Sequence, residues 1–137
     1  MTEERREGYP CKELTEKILG AAFKVQKALG PGLLESAYEA CLSHELKKMG
    51  LFVETQVALD ITYDDLRIPN AYRLDMVVND SVVLELKTVE RILDLHQAQL
   101  FSYLRFSGKE IGLILNFWSW PLKEGGIKRV VRSGSLG

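Results

Sequence analysis

The sequence predicts a single α/β domain in which a mixed central β-sheet is flanked by helices, in the order ααβββαββ. Three observations support this prediction. Apolar residues recur at spacings of three and four in the first third of the chain, alternate with polar residues from Val53 onward, and form a run over residues 111–117 in which Asn116 is the single polar side chain. The first pattern is typical of amphipathic helices, the second of half-buried strands, and the third of a strand buried on both faces.

The composition limits the classes of protein to which the chain can belong. Its 137 residues, of which 46% are hydrophobic and 27% charged, suffice for one buried core and are too few for two ordinary domains. We expect that domain over residues 13–132, with an N-terminal tail at 1–12 and a C-terminal tail at 133–137. No apolar run approaches the roughly 20 residues that cross a bilayer, and no secretory signal is recognisable. Cys11 and Cys41 lie far apart, which favours a cytoplasmic protein with reduced thiols.

Two helices are predicted at the start of the domain. The first ends at Gly30-Pro31-Gly32, because glycine accepts the left-handed conformation that follows a helix and proline cannot continue one. The second covers residues 33–49 and ends at Gly50. The apolar stripes comprise Leu14, Ile18, Ala21, Ala22, Val25 and Leu29 in the first helix, and Leu34, Tyr38, Cys41, Leu42, Leu46 and Met49 in the second.

Three strands are predicted in the middle of the chain. Apolar and polar residues alternate over 53–63, which indicates a long half-buried strand. Asp64-Asp65 and Pro69-Asn70 are typical turn residues. Residues 72–78 and 82–87 then form two strands of a predicted hairpin around 79–81.

One helix and two strands are predicted in the last third of the chain. The helix covers residues 93–106 and ends at Gly108. Residues 111–117 form the predicted central strand, and 127–131 form a final strand after the Gly125-Gly126 turn. The side chains expected to point inward from the helix are Leu93, Leu100, Tyr103 and Leu104.

The predicted hairpin carries the strongest chemical signal. Glu85 and Lys87 lie two residues apart on one strand, so their side chains project from the same face. Asp75 joins them only if the register pairs it with Glu85, which a two-residue loop prevents and a three-residue loop allows. We therefore predict an odd loop or a bulge at 79–81. The alternative is an ordinary exposed strand face with an ion pair between Glu85 and either Lys87 or Arg73.

Two carboxylates on neighbouring strands repel each other unless a cation lies between them. Mg²⁺ suits such a site, since it prefers hard oxygen ligands and needs only one or two carboxylates. Water beside the ion has a lowered pKa and can attack a phosphodiester. Lys87 is suited to orient that water or to stabilise negative charge on the phosphate. Three charged side chains among dense Val and Leu residues are costly to bury, which favours a functional reason for them.

Asp75, followed after nine residues by Glu85-Leu86-Lys87, resembles the signature of the PD-(D/E)XK nuclease superfamily, with Leu74 where the signature has proline. The segment Gly32-Leu33-Leu34-Glu35-Ser36-Ala37-Tyr38 is similar to the motif of its GxxExxY protein family. The likeness spans about residues 14–131. It implies a restriction-endonuclease-like core of order αβββαβ, Mg²⁺ dependence with Mn²⁺ as a substitute, and DNA or RNA as the substrate, of which we favour DNA. Further similar stretches are Leu29-Gly30-Pro31-Gly32, Tyr72-Arg73-Leu74-Asp75, His96-Gln97-Ala98-Gln99-Leu100 and Gly126-Ile127-Lys128-Arg129-Val130.

The resemblance also implies roles for individual residues of a nuclease. Asp75 and Glu85 would bind the metal with the Leu86 carbonyl, Lys87 would position the water, and Glu35 would add a third carboxylate from the second helix. The helical period places Glu35 on the core-facing side of that helix; the alternative is an acidic residue that only the helix dipole favours in the first turn. Gln99 and Tyr103 resemble the Gln-x-x-x-Tyr element of the RecB-like branch, which lines the active site and approaches the nucleic acid. Tyr38 also fits a core position with its hydroxyl hydrogen-bonded nearby. The candidate substrate contacts are Gln99, Tyr103, Tyr38, His96, Arg73, Lys128 and Arg129.

The charge distribution leaves alternatives open. The net charge is −1, but residues 1–85 carry 10 basic and 15 acidic side chains, whereas residues 86–137 carry 8 and 4. A local basic surface in the second part is therefore available to phosphates. The near-neutral total and small size also fit a catalytically silent nucleic-acid-binding or protein-interaction module. An acid-pair hydrolase acting on sugars is a third hypothesis, which would not need Lys87. The short chain predicts that targeting depends on a homodimer or on an unidentified partner.

Overall fold

A computed structural model describes residues 9–132 of the chain. They form a five-stranded mixed sheet in the spatial order β1-β2-β3-β4-β5, together with three helices. The predicted order ααβββαββ is confirmed. Residues 1–8 and 133–137 of the two expected tails lie outside the described residues. In chain order the elements are α1 (Lys12–Leu29), α2 (Glu35–Lys48), β1 (Val53–Tyr63), β2 (Leu66–Val78), β3 (Val82–Lys87), α3 (Asp94–Ser107), β4 (Ile111–Asn116) and β5 (Ile127–Val131).

Glycines end two of the helices where the sequence predicts it. Gly30 follows α1 with φ 75°, and Gly108 follows α3 with φ 77°. Three of the predicted inward positions are wrong, because Leu34, Met49 and Leu93 are 78%, 45% and 43% exposed. All three are cap residues that flank a helix, so the helical period does not determine where their side chains point.

The β1–β2 hairpin differs from the prediction near its end. The expected turn at Asp64-Asp65 is present, since Tyr63 pairs with Leu66. The predicted turn at Pro69-Asn70 is wrong, because both residues lie within β2. The β1–β2 register shifts opposite this stretch, and Asn70 has a positive φ of 53°. A local bulge accommodates the proline, which has no N–H for a regular ladder.

The β2–β3 loop confirms the prediction of an odd number of residues. Val78 pairs with Val82 and Val77 with Val83, which leaves residues 79–81 as a three-residue connection. Asn79 and Asp80 both have positive φ values, of 52° and 54°. Asn and Asp tolerate this left-handed conformation better than other residues that carry side chains.

The sheet is covered by helices on both faces. β4 is buried along its whole length and runs between β3, to which it is parallel, and β5, so its predicted interior position is confirmed. Buried side chains of α1 and α2, including Ile18, Tyr38 and Leu42, pack on one face. Leu100 and Leu104 of α3 pack on the other. Among residues 9–132, no helix is both long and apolar enough to span a membrane.

Candidate active site

Asp75 and Glu85 meet where β2 and β3 separate. The last ladder pair between the two strands is Met76 with Leu84. Beyond this pair, backbone N–H groups donate to side-chain carboxylates instead of to backbone carbonyls. The Leu86 N–H donates to Asp75 Oδ2 over 2.8 Å, and the Asp75 N–H donates to Glu85 Oε2 over 3.2 Å. The predicted cross-strand pairing of Asp75 with Glu85 is therefore corrected in one respect. The two residues lie together, but side chains rather than the backbone ladder join them.

A change of face in β1 and β2 produces this separation. In β2, Met76 packs on the α1–α2 side of the sheet. Leu74, two residues earlier, packs on the α3 side, where a regular strand would keep both on one face. The β1–β2 ladder skips the facing positions Gln56 and Asp75 without a change of register, and Gln56 has a positive φ of 52°. Asp75 thus lies at the irregular point, where its carboxylate can turn toward β3.

Burial leaves the negative charge of this pair poorly compensated. Glu85 is only 7% exposed, and burial, followed by the negative charge of Asp75, raises the pKa of Glu85 from 4.5 to about 8. Burial also raises the pKa of Asp75, against the lowering effects of the Leu86 N–H and the Lys87 ammonium. Two poorly solvated carboxylates with raised pKa values are stabilised either by a proton that they share or by a bound cation. Their oxygens, with main-chain carbonyls nearby, are donors that suit Mg²⁺.

Glu35 does not complete a three-carboxylate centre. It is exposed in the first turn of α2, although its charge contributes to the raised pKa of Glu85. Within the described chain, no three His, Cys, Asp or Glu side chains are grouped closely enough to hold a metal ion together. The expectation that Glu35 converges with Asp75 and Glu85 as a third ligand is therefore wrong for this arrangement, because its helix turn leaves it facing solvent.

The sequence reasoning missed two residues beside the carboxylates. The Gln56 side-chain amide donates to Glu39 Oε1 over 2.8 Å, and it also lowers the pKa of Asp75 by hydrogen bonding. Burial raises the pKa of Glu39, and the charges of Asp75 and Glu35 raise it further. Glu39 lies four residues after Glu35, and this spacing predicts that the two side chains lie on the same face of α2. No pattern in the sequence marks Gln56.

Side chains of α3 and β2 form the wall beside Glu85. Tyr103 is half-buried, and burial, then the charges of Glu85, Tyr72 and Asp75, raise its pKa. Its ring lies 4.9 Å from that of Tyr72, centroid to centroid, at an angle of 51°. Gln99, one turn earlier on α3, is also half-buried. The Gln-x-x-x-Tyr element is thus on the helix that covers the acidic pair.

His96 stands at the start of α3, near Lys87. Its Nδ1 accepts the Leu93 N–H over 3.0 Å. Burial, followed by the positive charge of Lys87, lowers the pKa of His96. Neutral imidazole is therefore the favoured form at neutral pH. A groove of about 420 Å³ adjoins it, lined by Val89, Glu90, Arg91, Leu93 and His96.

Tyr38 is a core residue, which corrects its inclusion among the substrate contacts. It is fully buried and stacks on Phe117 at 4.5 Å between centroids. Its hydroxyl donates to the Gly30 carbonyl over 2.5 Å and accepts the Leu33 N–H over 3.2 Å. Tyr38 therefore holds the α1–α2 connection and has no path to a substrate.

The basic candidates lie in different places. Arg73 is exposed on β2, with Nη1 3.5 Å from the Gln56 carbonyl, so it lies near the acidic pair. Lys128 and Arg129 are on β5, and β4 separates them from β3. The Arg129 guanidinium lies 3.7 Å from the Tyr9 ring centroid and donates to the Tyr9 hydroxyl over 2.9 Å. The structure therefore does not bring Lys128 and Arg129 to the carboxylates.

Comparison with known proteins gives one match. The family model described as PD-(D/E)XK nuclease superfamily matches residues 12–130. No curated protein and no solved structure matches the chain. The five-stranded mixed sheet and three helices are consistent with the restriction-endonuclease-like fold expected for such a match. The narrower GxxExxY resemblance stays a prediction.

Proposed function

Since the chain belongs to the PD-(D/E)XK nuclease superfamily, we propose that it is a divalent-metal-dependent nuclease that hydrolyses phosphodiester bonds, with DNA as the favoured substrate. The observation that supports this most is the pair formed by the buried Glu85 and the half-buried Asp75 at the separation of β2 and β3. A purely structural role explains it poorly, because burying two like charges side by side destabilises the fold.

In this proposal the carboxylates of Asp75 and Glu85, with the Leu86 carbonyl, hold Mg²⁺, and Mn²⁺ substitutes for it. The ion would offset the like-charge repulsion that raises the pKa of Glu85. When bound, Mg²⁺ supplies positive charge to the scissile phosphate and lowers the pKa of water. Two carboxylates are enough for Mg²⁺, so the proposal does not need Glu35 as a ligand. Glu35 instead contributes negative potential from the start of α2.

Lys87 is the proposed catalytic cation. It is half-buried at the end of β3, and its ammonium lowers the pKa of Asp75 by direct charge attraction. From there it is suited to orient the attacking water and to stabilise the negative charge that develops on the phosphate. The water oxygen would form a bond to phosphorus and release one proton to solvent, while the phosphorus–oxygen bond to the leaving strand breaks and the leaving oxygen takes up a proton from solvent.

The side chains of α3 are the proposed substrate contacts. The charges of Glu85 and Asp75 act on Tyr103, Gln99 lies one turn earlier on the same helix, and His96 lines the groove beside α3 and interacts with the charge of Lys87. Arg73 is placed to meet a phosphate on the β2 side. We place this activity in the cytoplasm, the compartment that the free thiols of Cys11 and Cys41 favour. A second copy or another partner for targeting stays a prediction.

The test is a cleavage panel on end-labelled single- and double-stranded DNA and RNA with Mg²⁺, Mn²⁺ or EDTA. We expect metal-dependent cleavage, and a loss of about 10²- to 10³-fold or more in Glu85→Ala and Lys87→Ala. Lys47→Ala, which changes an exposed lysine on α2, should retain full activity. Cleavage in the presence of EDTA would overturn the proposal. Cleavage at the wild-type rate by both Glu85→Ala and Lys87→Ala would overturn it as well. Tight binding of nucleic acid without any cleavage would favour the catalytically silent module instead.

A further inference from the structure

We propose that Tyr72 is a base-stacking platform at the rim of the candidate active site, and that it selects nucleic acid with an unpaired base beside the scissile phosphate. This inference rests on the proposed nuclease function and deepens it by naming the form of the substrate. It concerns a residue to which the metal site and the Gln-x-x-x-Tyr element assign no role.

Tyr72 lies on the strand that carries Asp75, three residues before it, and pairs with Leu59 of β1. Leu59 packs on the α3 side of the sheet, and directly paired residues share a face. The Tyr72 ring accordingly lies against Tyr103 of α3, at 4.9 Å between centroids. Tyr72 and Asp75 belong to the same strand, and the charges of Glu85 and Asp75 contribute to the raised pKa of Tyr103, so the aromatic pair lies on the side of the sheet that the carboxylates influence.

The Tyr72 ring is held in place but remains accessible. Its contact with Tyr103 is a tilted aromatic packing with an interplanar angle of 51°, a geometry that restricts the ring without covering it. Tyr72 stays 42% exposed, whereas Tyr103 is half-buried. A rigid side chain with an open face is well suited to stacking, since little conformational freedom is lost when a ligand ring lies on it.

The surroundings favour a base over a phosphate at this position. Without a bound cation, as in the binding test below, the carboxylates of Asp75 and Glu85 repel phosphate oxygens, but they do not repel the neutral face of a nucleobase. Aromatic side chains bind bases of any sequence by stacking. In a duplex both faces of each base are already covered by its neighbours, so the Tyr72 face is useful only to a base that is single-stranded, frayed or unpaired.

The test measures binding without catalysis, by fluorescence anisotropy in EDTA, for labelled single-stranded DNA and a blunt duplex of equal length. Stacking is worth about 1–3 kcal/mol per base, which corresponds to a change of about 5- to 140-fold in Kd. We expect Tyr72→Ala to weaken single-strand binding by that factor and duplex binding by less than about twofold. Tyr72→Phe keeps the ring and should bind like the wild type. Tyr63→Ala removes a more exposed tyrosine of the same hairpin and should change neither affinity.

Melting curves establish that each variant is folded before binding is compared. Equal weakening of single-strand and duplex binding in Tyr72→Ala, or no weakening of either, would overturn the inference. The same holds if Tyr72→Phe loses affinity as far as Tyr72→Ala does. The nuclease proposal would still stand in these cases if the wild type shows metal-dependent cleavage and Glu85→Ala abolishes it. A wild-type protein that neither binds nor cleaves any nucleic acid would overturn both.

Discussion

Replacing Glu85 by glutamine should change how the stability of the metal-free protein depends on pH. The folded-state pKa of Glu85 is raised to about 8, from 4.5 in its ordinary environment. Below pH 4.5 the carboxyl is protonated in both the folded and the unfolded chain, so it causes no penalty. Between pH 4.5 and about pH 8 the folded chain keeps a proton that the unfolded chain has released. The free energy of unfolding therefore falls as pH rises through this range. Above about pH 8 the carboxylate is ionised in both states and the penalty is complete.

The size of the effect follows from the same pKa values. One pH unit of pKa difference corresponds to about 1.4 kcal/mol, so a rise from 4.5 to about 8 gives a complete penalty of about 5 kcal/mol. Between pH 5 and pH 8 the wild type should lose about 3–4 kcal/mol of its free energy of unfolding from this group. Glu85→Gln has no charge at this position, and its side-chain oxygen still accepts the Asp75 N–H, so it should lack this loss.

Urea unfolding in EDTA, followed by tryptophan fluorescence at several pH values, measures the difference. Subtracting the variant from the wild type removes the contributions of groups that titrate independently of Glu85 and leaves those of Glu85 and of Asp75, which is coupled to it. Glu54→Gln, a change at an exposed carboxylate on β1, serves as the control and should follow the wild type. Adding Mg²⁺ at pH 8 should stabilise the wild type, by about 3 kcal/mol at 100 times Kd, and leave Glu85→Gln unchanged. Parallel pH profiles of wild type and Glu85→Gln would show that folding does not raise the pKa of Glu85.

Two further predictions concern the framework that supports the site. Tyr38→Phe removes a buried hydroxyl with two backbone partners and should lower the free energy of unfolding by about 1–3 kcal/mol; an unchanged urea midpoint would contradict the role assigned to that hydroxyl. Gly126→Ala would place a Cβ 2.5 Å from the Leu122 carbonyl oxygen and should destabilise by about 1–3 kcal/mol. Gly20→Ala meets nothing within 4 Å on α1 and should stabilise by up to about 1 kcal/mol. Equal thermal shifts in the two alanine variants would show that the steric argument is wrong.

Residue periodicity was sufficient to predict the elements that build the sheet. β1 and β5 have the predicted bounds, since alternation and flanking turn residues define them directly. The three-residue loop at 79–81 followed from a chemical requirement, namely that Asp75 and Glu85 should meet. That requirement selected the register because a shift of one residue sends a side chain to the opposite face.

The details of the site depended on irregularities that periodicity does not encode. The positive φ of Gln56 and the change of face at Asp75 arise from tertiary packing, and a regular strand pattern gives no sign of them. The same applies to Pro69, which a bulge retains within β2. Glu35 was expected at the metal because the helical period turns it toward the core, but at the first position of α2 it faces solvent.

The central claim is that Asp75 and Glu85 form a divalent-cation site. Crystals grown with Mn²⁺ at pH 8, where the carboxylate of Glu85 can lose its proton, test it most directly through the anomalous scattering of manganese. We expect an anomalous peak between the two carboxylates, within ligand distance of the Leu86 carbonyl, and no such peak in crystals of Glu85→Gln. A wild-type map without a peak there, at a Mn²⁺ concentration that saturates cleavage, would contradict the claim.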